Sequence, residues 1–138
     1  ADTVSVWSEA SDWYKRPHAL ICVAEFDSRI SHTATDFIKQ CDRNDLFISD
    51  VSLLEIAMLH HKGRIPASTP LDKILGQAER NFKVLRINSN IAAESYALPL
   101  PQADPFDRII VATARHHQIP LITKDRLIVD SNCVETIW

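Results

Sequence analysis

Glycine is scarce in this chain, with two in 138 residues, Gly63 and Gly76. No G-x-G-x-x-G, Walker loop or G-x-S-x-G motif is present, so nucleotide cradling and serine acyl transfer have no motif to rest on. Cysteine is equally sparse. Cys22, Cys41 and Cys133 are odd in number, far apart, and form no C-x-x-C pair. That argues against a disulfide framework and a thiolate zinc site, and it fits a reducing cytoplasm. No apolar run approaches the ~20 residues a membrane span needs. The opening "ADTVSVWSEASDWYKRP" has no basic stretch leading into an apolar core, so it does not read as a secretory signal. There is no low-complexity linker and no internal repeat. A net charge of -3 argues against a broad basic surface for nucleic acid. It leaves a nuclease open, because clustered carboxylates change the local sign once they hold a divalent cation.

What remains is ordinary globular composition, 46% apolar and 24% charged, at a length suited to one domain with a real core. "DLFIS" (Asp45 to Ser49) reads as a buried strand. It leads into a helical stretch in which Leu53, Leu54, Ala57, Met58 and Leu59 sit at helical spacing and Gly63 makes the stop. From Pro70 a second amphipathic helix carries Leu71, Ile74, Leu75 and Ala78 on one face. "KVLRI" (Lys83 to Ile87) is a candidate strand and "SNIAAESYAL" a short helix. "DRIIVATARHHQ" continues as a helix into the strand "IPLIT" (Ile119 to Thr123), and "NCVETIW" suggests a final edge strand. Strands alternating with helices predict an α/β fold, a mostly parallel central sheet flanked by helices.

In such sheets ligands bind beyond the carboxyl ends of the strands. Glu55 lies on the helix after "DLFIS", Asp125 just beyond "IPLIT", and Asp104 and Asp107 open the helix that feeds that strand. All four acids are therefore expected at one edge. Each also has a plain structural reading. Ser52 to Glu55 is a capping-box pattern. Asp104, Pro105 and Asp107 make a good helix start, with both acids near the positive end of the helix dipole. Asp125 can turn the chain after a strand. Three separate caps have no reason to converge, however, and carboxylates held close together call for a neutralising cation such as Mg²⁺ or Mn²⁺. His60, His61, His116 and His117 show no H-x-x-x-H spacing and read as solvent-facing or helix-end residues.

"SLLEIAMLHHKGRI" (Ser52 to Ile65), "DPFDRIIVATA" (Asp104 to Ala114), "PLITKD" (Pro120 to Asp125) and the terminal "IW" together resemble the PIN-domain family, and more narrowly its VapC-type toxin ribonucleases of bacterial toxin–antitoxin pairs. The resemblance implies a single three-layer PIN-like domain over 1–138, with 1–15 an atypical N-terminal segment. It implies a cytoplasmic endoribonuclease that hydrolyses RNA phosphodiester bonds through a carboxylate-bound Mg²⁺ or Mn²⁺. By position, Glu55, Asp107 and Asp125 match the family's metal-binding and catalytic acids. Asp104 matches a further carboxylate of the site, Thr123 a neighbouring hydroxyl, and Arg108 either approaches a phosphate or pairs with Asp104 or Asp107. The implied partners are RNA, a cognate antitoxin that blocks the pocket, and a second copy of the chain.

One departure stands out. The family begins with an apolar strand ending in an aspartate, but here that acid's position falls on Arg16, with "HALI" (His18 to Ile21) in the register that follows. Asp2 lies too far upstream and Asp27 too close to Glu55, while Asp12 would need a rearranged N-terminus. With one ligand fewer a cation is held more weakly, and Arg16 would repel it. The alternative is a catalytically weakened PIN module that binds RNA or an antitoxin without efficient cleavage.

Overall fold

The computed structural model describes residues 18–22 and 30–138. Five strands form one sheet, β1 (Ala19–Ile21), β2 (Leu46–Ser49), β3 (Lys83–Leu85), β4 (Leu121–Ile122) and β5 (Thr136–Ile137), in the order β3-β2-β1-β4-β5. Every pairing is parallel, including that of the edge strand β5, so the expected mostly parallel sheet is wholly parallel among the described residues. Among the described residues six α-helices flank it: α1 (His32–Gln40), α2 (Asp50–His61), α3 (Leu71–Asn81), α4 (Ser89–Ala97), α5 (Pro105–His117) and α6 (Arg126–Ser131).

The period-two alternation of strand side chains divides the core in two. Leu20 and Leu121 face one cluster, built with Ile91 of α4, Ile110, Val111 and Ala114 of α5, and Ile128 of α6. Ala19, Ile21 and Ile122 face the other, with Ala34 of α1, Ile56 of α2 and Ala78 of α3. The result is three layers, helix, sheet and helix. No helix among the described residues is long and apolar enough to cross a membrane.

Two local readings change. Ala19–Ile21 stand in the register after the missing acid when read from the sequence, yet they form the central strand itself. Ala19 to Cys22 are all apolar and fully buried, which is what the centre of a doubly covered parallel sheet requires. β1 is clamped by Leu20 N–H to the Pro120 carbonyl (2.9 Å) and Cys22 N–H to the Ile122 carbonyl (3.3 Å). Its carboxyl end runs into residues 23–29, so Asp27, like Asp2, Asp12 and Arg16, lies outside the described residues.

The second change concerns α2. Its buried residues are Val51, Ser52, Glu55 and Ile56, while Leu54 is 58% exposed. The helix is apolar nearly all round, so periodicity alone does not choose its inner face. By contrast α3 behaves as its pattern predicts, with Ala78 buried and Leu71, Ile74 and Leu75 packed on the core. Gly63 ends the α2 region at φ 79°, a left-handed backbone that glycine adopts without a Cβ clash.

Candidate active site

β2 ends at Ser49, whose Oγ accepts from Val51 N–H at 3.2 Å and caps α2. The helix thus begins three residues before the Ser52 capping box would start it. Glu55 is no longer an N-terminal capping residue but sits a turn and a half into the helix, 6% exposed. A carboxylate in that setting is costly to bury for the sake of helix initiation alone. Ser52, one turn before it, is fully buried, and its Oγ makes no hydrogen bond among the described residues.

On α5 the sequence pattern is realised as written. Asp104 is the N-cap, and its Oδ1 accepts from Asp107 N–H at 2.9 Å. Pro105 occupies the first helical turn, and Asp107 follows half-buried. α5 packs against α2, the helix that carries Glu55. Because α5 returns the chain to the start of the parallel strand β4, its first turn lies toward the carboxyl-end edge of the sheet, where Glu55 and Asp125 also emerge.

Asp125 follows β4 and caps α6. Its Oδ1 accepts from Leu127 N–H (2.9 Å) and from Ile128 N–H (3.4 Å). Both bonds use one oxygen, so they do not engage Oδ2. Thr123, fully buried, holds the turn through its Oγ1, which accepts from Asp125 N–H at 3.1 Å.

Asp50 is an acid of this edge that the sequence reading missed. Its Oδ2 accepts from Ile87 N–H at 3.0 Å, tying the start of α2 to the segment after β3, while Oδ1 is buried without a hydrogen-bond partner among the described residues. Its signal was present: an aspartate directly after a buried strand, the placement that singled out Asp125.

Arg108, expected to approach a phosphate or to pair with Asp104 or Asp107, hydrogen-bonds to backbone carbonyls. It is buried, and its guanidinium donates to the Ser95 carbonyl (3.3 Å) and to the Leu100 carbonyl, with the Tyr96 ring stacked 5.1 Å away. The histidines stay apart from the acids in role. His60 Nε2 meets the Thr69 carbonyl at 2.9 Å, and His116 lies edge-on to His117 with ring centres 5.0 Å apart. Burial, and then the neighbouring His116, lowers the pKa of His117. Cys22, Cys41 and Cys133 form no disulfide with one another.

The donors at this edge are all oxygens, the kind a hard divalent cation prefers. They fit Mg²⁺ or Mn²⁺ in kind. Among the described residues, however, no three acidic, histidine or cysteine side chains are gathered tightly enough to hold an ion by themselves.

The family model of the PIN domain matches residues 18–130. The chain belongs to the PIN-domain family. It is similar to the ribonuclease VapC22 of Mycobacterium tuberculosis, 35% identical over 99 residues, which cover 71% of this chain and 75% of that protein. Among solved structures, the same fold recurs at lower identity. A toxin–antitoxin complex from Klebsiella pneumoniae superposes with a TM-score of 0.56 at 24% identity, over 78% of this chain and 86% of that one. VapBC2 from Rickettsia felis, bound to a DNA fragment from its promoter, gives 0.65 at 12% identity, over 86% and 96%. These two likenesses bear on the PIN fold alone.

Proposed function

We propose that this PIN-domain chain is the toxin of a toxin–antitoxin pair, a metal-dependent endoribonuclease that hydrolyses RNA phosphodiester bonds at the edge carrying Glu55, Asp107 and Asp125. The observation that carries the reading is the kinship with ribonuclease VapC22. The burial of Glu55, which the position of the Ser49 cap relieves of any capping duty, supports it. The proposed partners are RNA as substrate, an antitoxin protein as inhibitor, and a second copy of the chain.

Glu55, Asp107 and Asp125 would hold Mg²⁺ or Mn²⁺, which when bound supplies an acidified water and positive charge against the phosphate oxygens. The chain's own part is placement. Asp104 fixes the backbone N–H of Asp107 and so sets the first turn of α5. Thr123 fixes the backbone of Asp125 in the same way. Oδ2 of Asp125 remains for the site while Oδ1 keeps α6 capped.

A second reading, a PIN module that binds RNA or an antitoxin with little turnover, is favoured by the absence of a three-ligand group among the described residues. One assay separates the two. RNA cleavage is followed with Mg²⁺ or Mn²⁺, with and without chelator, for the wild type and for Glu55→Gln, Asp107→Asn and Asp125→Asn. The amide variants keep size and, at position 125, the capping oxygen. Metal-dependent cleavage that falls on the order of a hundredfold in each variant is the expected result. Cleavage that survives chelation and all three substitutions sinks the metal-site reading, and RNA binding without turnover selects the second.

A further inference from the structure

α2 turns a polar pair inward. Its buried residues are Val51, Ser52, Glu55 and Ile56. Val51 joins the core built with α4, α5 and α6, and Ile56 joins the core built with α1 and α3. Ser52 and Glu55, three residues apart on one helix face, lie between these two apolar flanks.

The hydroxyl of Ser52 has no use within the helix. A buried serine or threonine on a helix finds a ready acceptor in the carbonyl three or four residues back. Ser95 donates to Ala92 at 2.7 Å, Thr113 to Ile109 at 2.6 Å and Ser131 to Ile128 at 2.6 Å. Ser52 takes no such acceptor, and its Oγ makes no hydrogen bond among the described residues. Capping does not claim it either, because Ser49 Oγ already accepts from Val51 N–H. Burial strips water from this hydroxyl, and no partner among those residues offsets the loss. Alanine would fill the position and favour the helix more. A hydroxyl kept there answers to a group that joins the chain after folding.

We propose that Ser52 is a positioning residue for the divalent cation: its Oγ accepts from a water of the ion's hydration shell and so holds the ion against Glu55. The inference rests on the metal-dependent ribonuclease reading and deepens it, by adding a neutral partner to the acids. Mg²⁺ bound by carboxylates keeps several of its waters, so a hydroxyl one turn from Glu55 meets the shell rather than the ion. Loss of such an outer partner ordinarily weakens metal binding roughly ten- to a hundredfold.

The test titrates Mn²⁺ into the full chain and follows the free ion by electron paramagnetic resonance. Wild type, Ser52→Ala and Glu55→Gln are compared, and each is also melted in chelator. Wild type is expected to bind Mn²⁺ and Glu55→Gln to lose most of that binding. Ser52→Ala should bind about tenfold more weakly, yet melt in chelator at or above the wild-type temperature. The pairing of results separates an ion partner from a fold partner, since loss of a structural hydrogen bond lowers the melt. Equal Mn²⁺ affinity in wild type and Ser52→Ala overturns the inference, and metal-dependent cleavage by both then leaves the ribonuclease reading standing. A Ser52→Ala melt well below wild type in chelator overturns it too, and assigns the hydroxyl to the fold. Absence of Mn²⁺ binding by wild type, or binding that Glu55→Gln does not weaken, overturns it as well. Weaker ion binding in Ser52→Ala, with the apo melt intact, supports the inference even if the wild type cuts no RNA. In that case only the ribonuclease reading falls.

Discussion

Thr123 holds Asp125: the hydroxyl oxygen of the buried threonine accepts from the aspartate's backbone N–H at 3.1 Å, while the aspartate's own Oδ1 caps α6. The acid at the end of β4 is thus set by a side chain two residues before it. Thr123→Val, which keeps shape and removes the hydroxyl, is expected to lower stability by about 1 kcal/mol. It should also lower RNA cleavage, whereas Thr123→Ser retains most of both. Thermal melts and initial rates on the three proteins check this. A Val variant as active and as stable as wild type shows that the hydroxyl does not position Asp125.

Asp104 and Asp107 are three residues apart and should separate cleanly. Asp104→Ala removes the cap from α5 and is expected to destabilise the fold by about 1 kcal/mol, with Asp104→Asn close to wild type. Asp107→Asn should leave the melting temperature near that of wild type and, on the proposed metal site, lose any extra stability gained by the wild type in Mn²⁺. Differential scanning fluorimetry with and without Mn²⁺ reads both effects. The reverse pattern would exchange the two roles.

Arg108 is assigned to the fold and not to RNA. Its loss in Arg108→Ala leaves the Ser95 and Leu100 carbonyls without their donor and removes the stack on Tyr96. About 3 kcal/mol of stability should go with it, and Arg108→Lys restores part at most, because an ammonium cannot span both carbonyls as a guanidinium does. Urea midpoints measure this. If Arg108→Ala instead unfolds like wild type and loses RNA affinity, the guanidinium serves the substrate.

Cys41 provides a pH test. Its thiol donates to the Phe37 carbonyl, and its pKa is pushed up to about 11 by burial first and then by Asp45 and Asp42. The thiolate is the disfavoured form in the folded chain, so the unfolded chain loses this proton first as pH rises. The associated stability is fully present below the thiol's ordinary value of 9.0 and is lost as pH climbs from there through about 11. Alkylation by iodoacetamide at mildly alkaline pH should be much slower at Cys41 than in the denatured chain, and faster in Asp42→Asn. Equal rates in the folded and denatured chains would contradict this placement.

The features legible from sequence are those where local chemistry decides. Asp104 and Pro105 start a helix whatever surrounds them, and Leu71, Ile74, Leu75 and Ala78 declare the inner face of α3 by spacing. Parallel strands were readable because β2 and β4 are short apolar runs feeding or following helices. Competition between neighbouring signals hid the rest. Ser49 and Ser52 both suit an N-cap, and only the end of β2 chooses Ser49. Ala19 to Ile21 suit a strand or the register after an acid, and their pairing with both β2 and β4 chooses the strand. Arg108 sits beside two acids in the chain, yet its side chain travels to the carbonyls of residues 95 and 100, a choice made by tertiary packing. The order of elements was legible, and Glu55 and Asp125 do follow β2 and β4. Whether the acids close into a ligand group depends on distances of a few ångström that no spacing encodes.

The sheet's central pairing also has a bearing on biosynthesis. Leu20 aligns with Leu121 and Ile21 with Ile122, so β1 waits for the much later β4 to complete its hydrogen bonds. Asp107 and Asp125 emerge well after Glu55, and β4 seats between β1 and β5 only when β5 has followed it. Contacts so distant in sequence form slowly and late. A nascent or prematurely terminated chain therefore carries no assembled acid edge. Strand order thus withholds that edge until the later strands of the domain have been made.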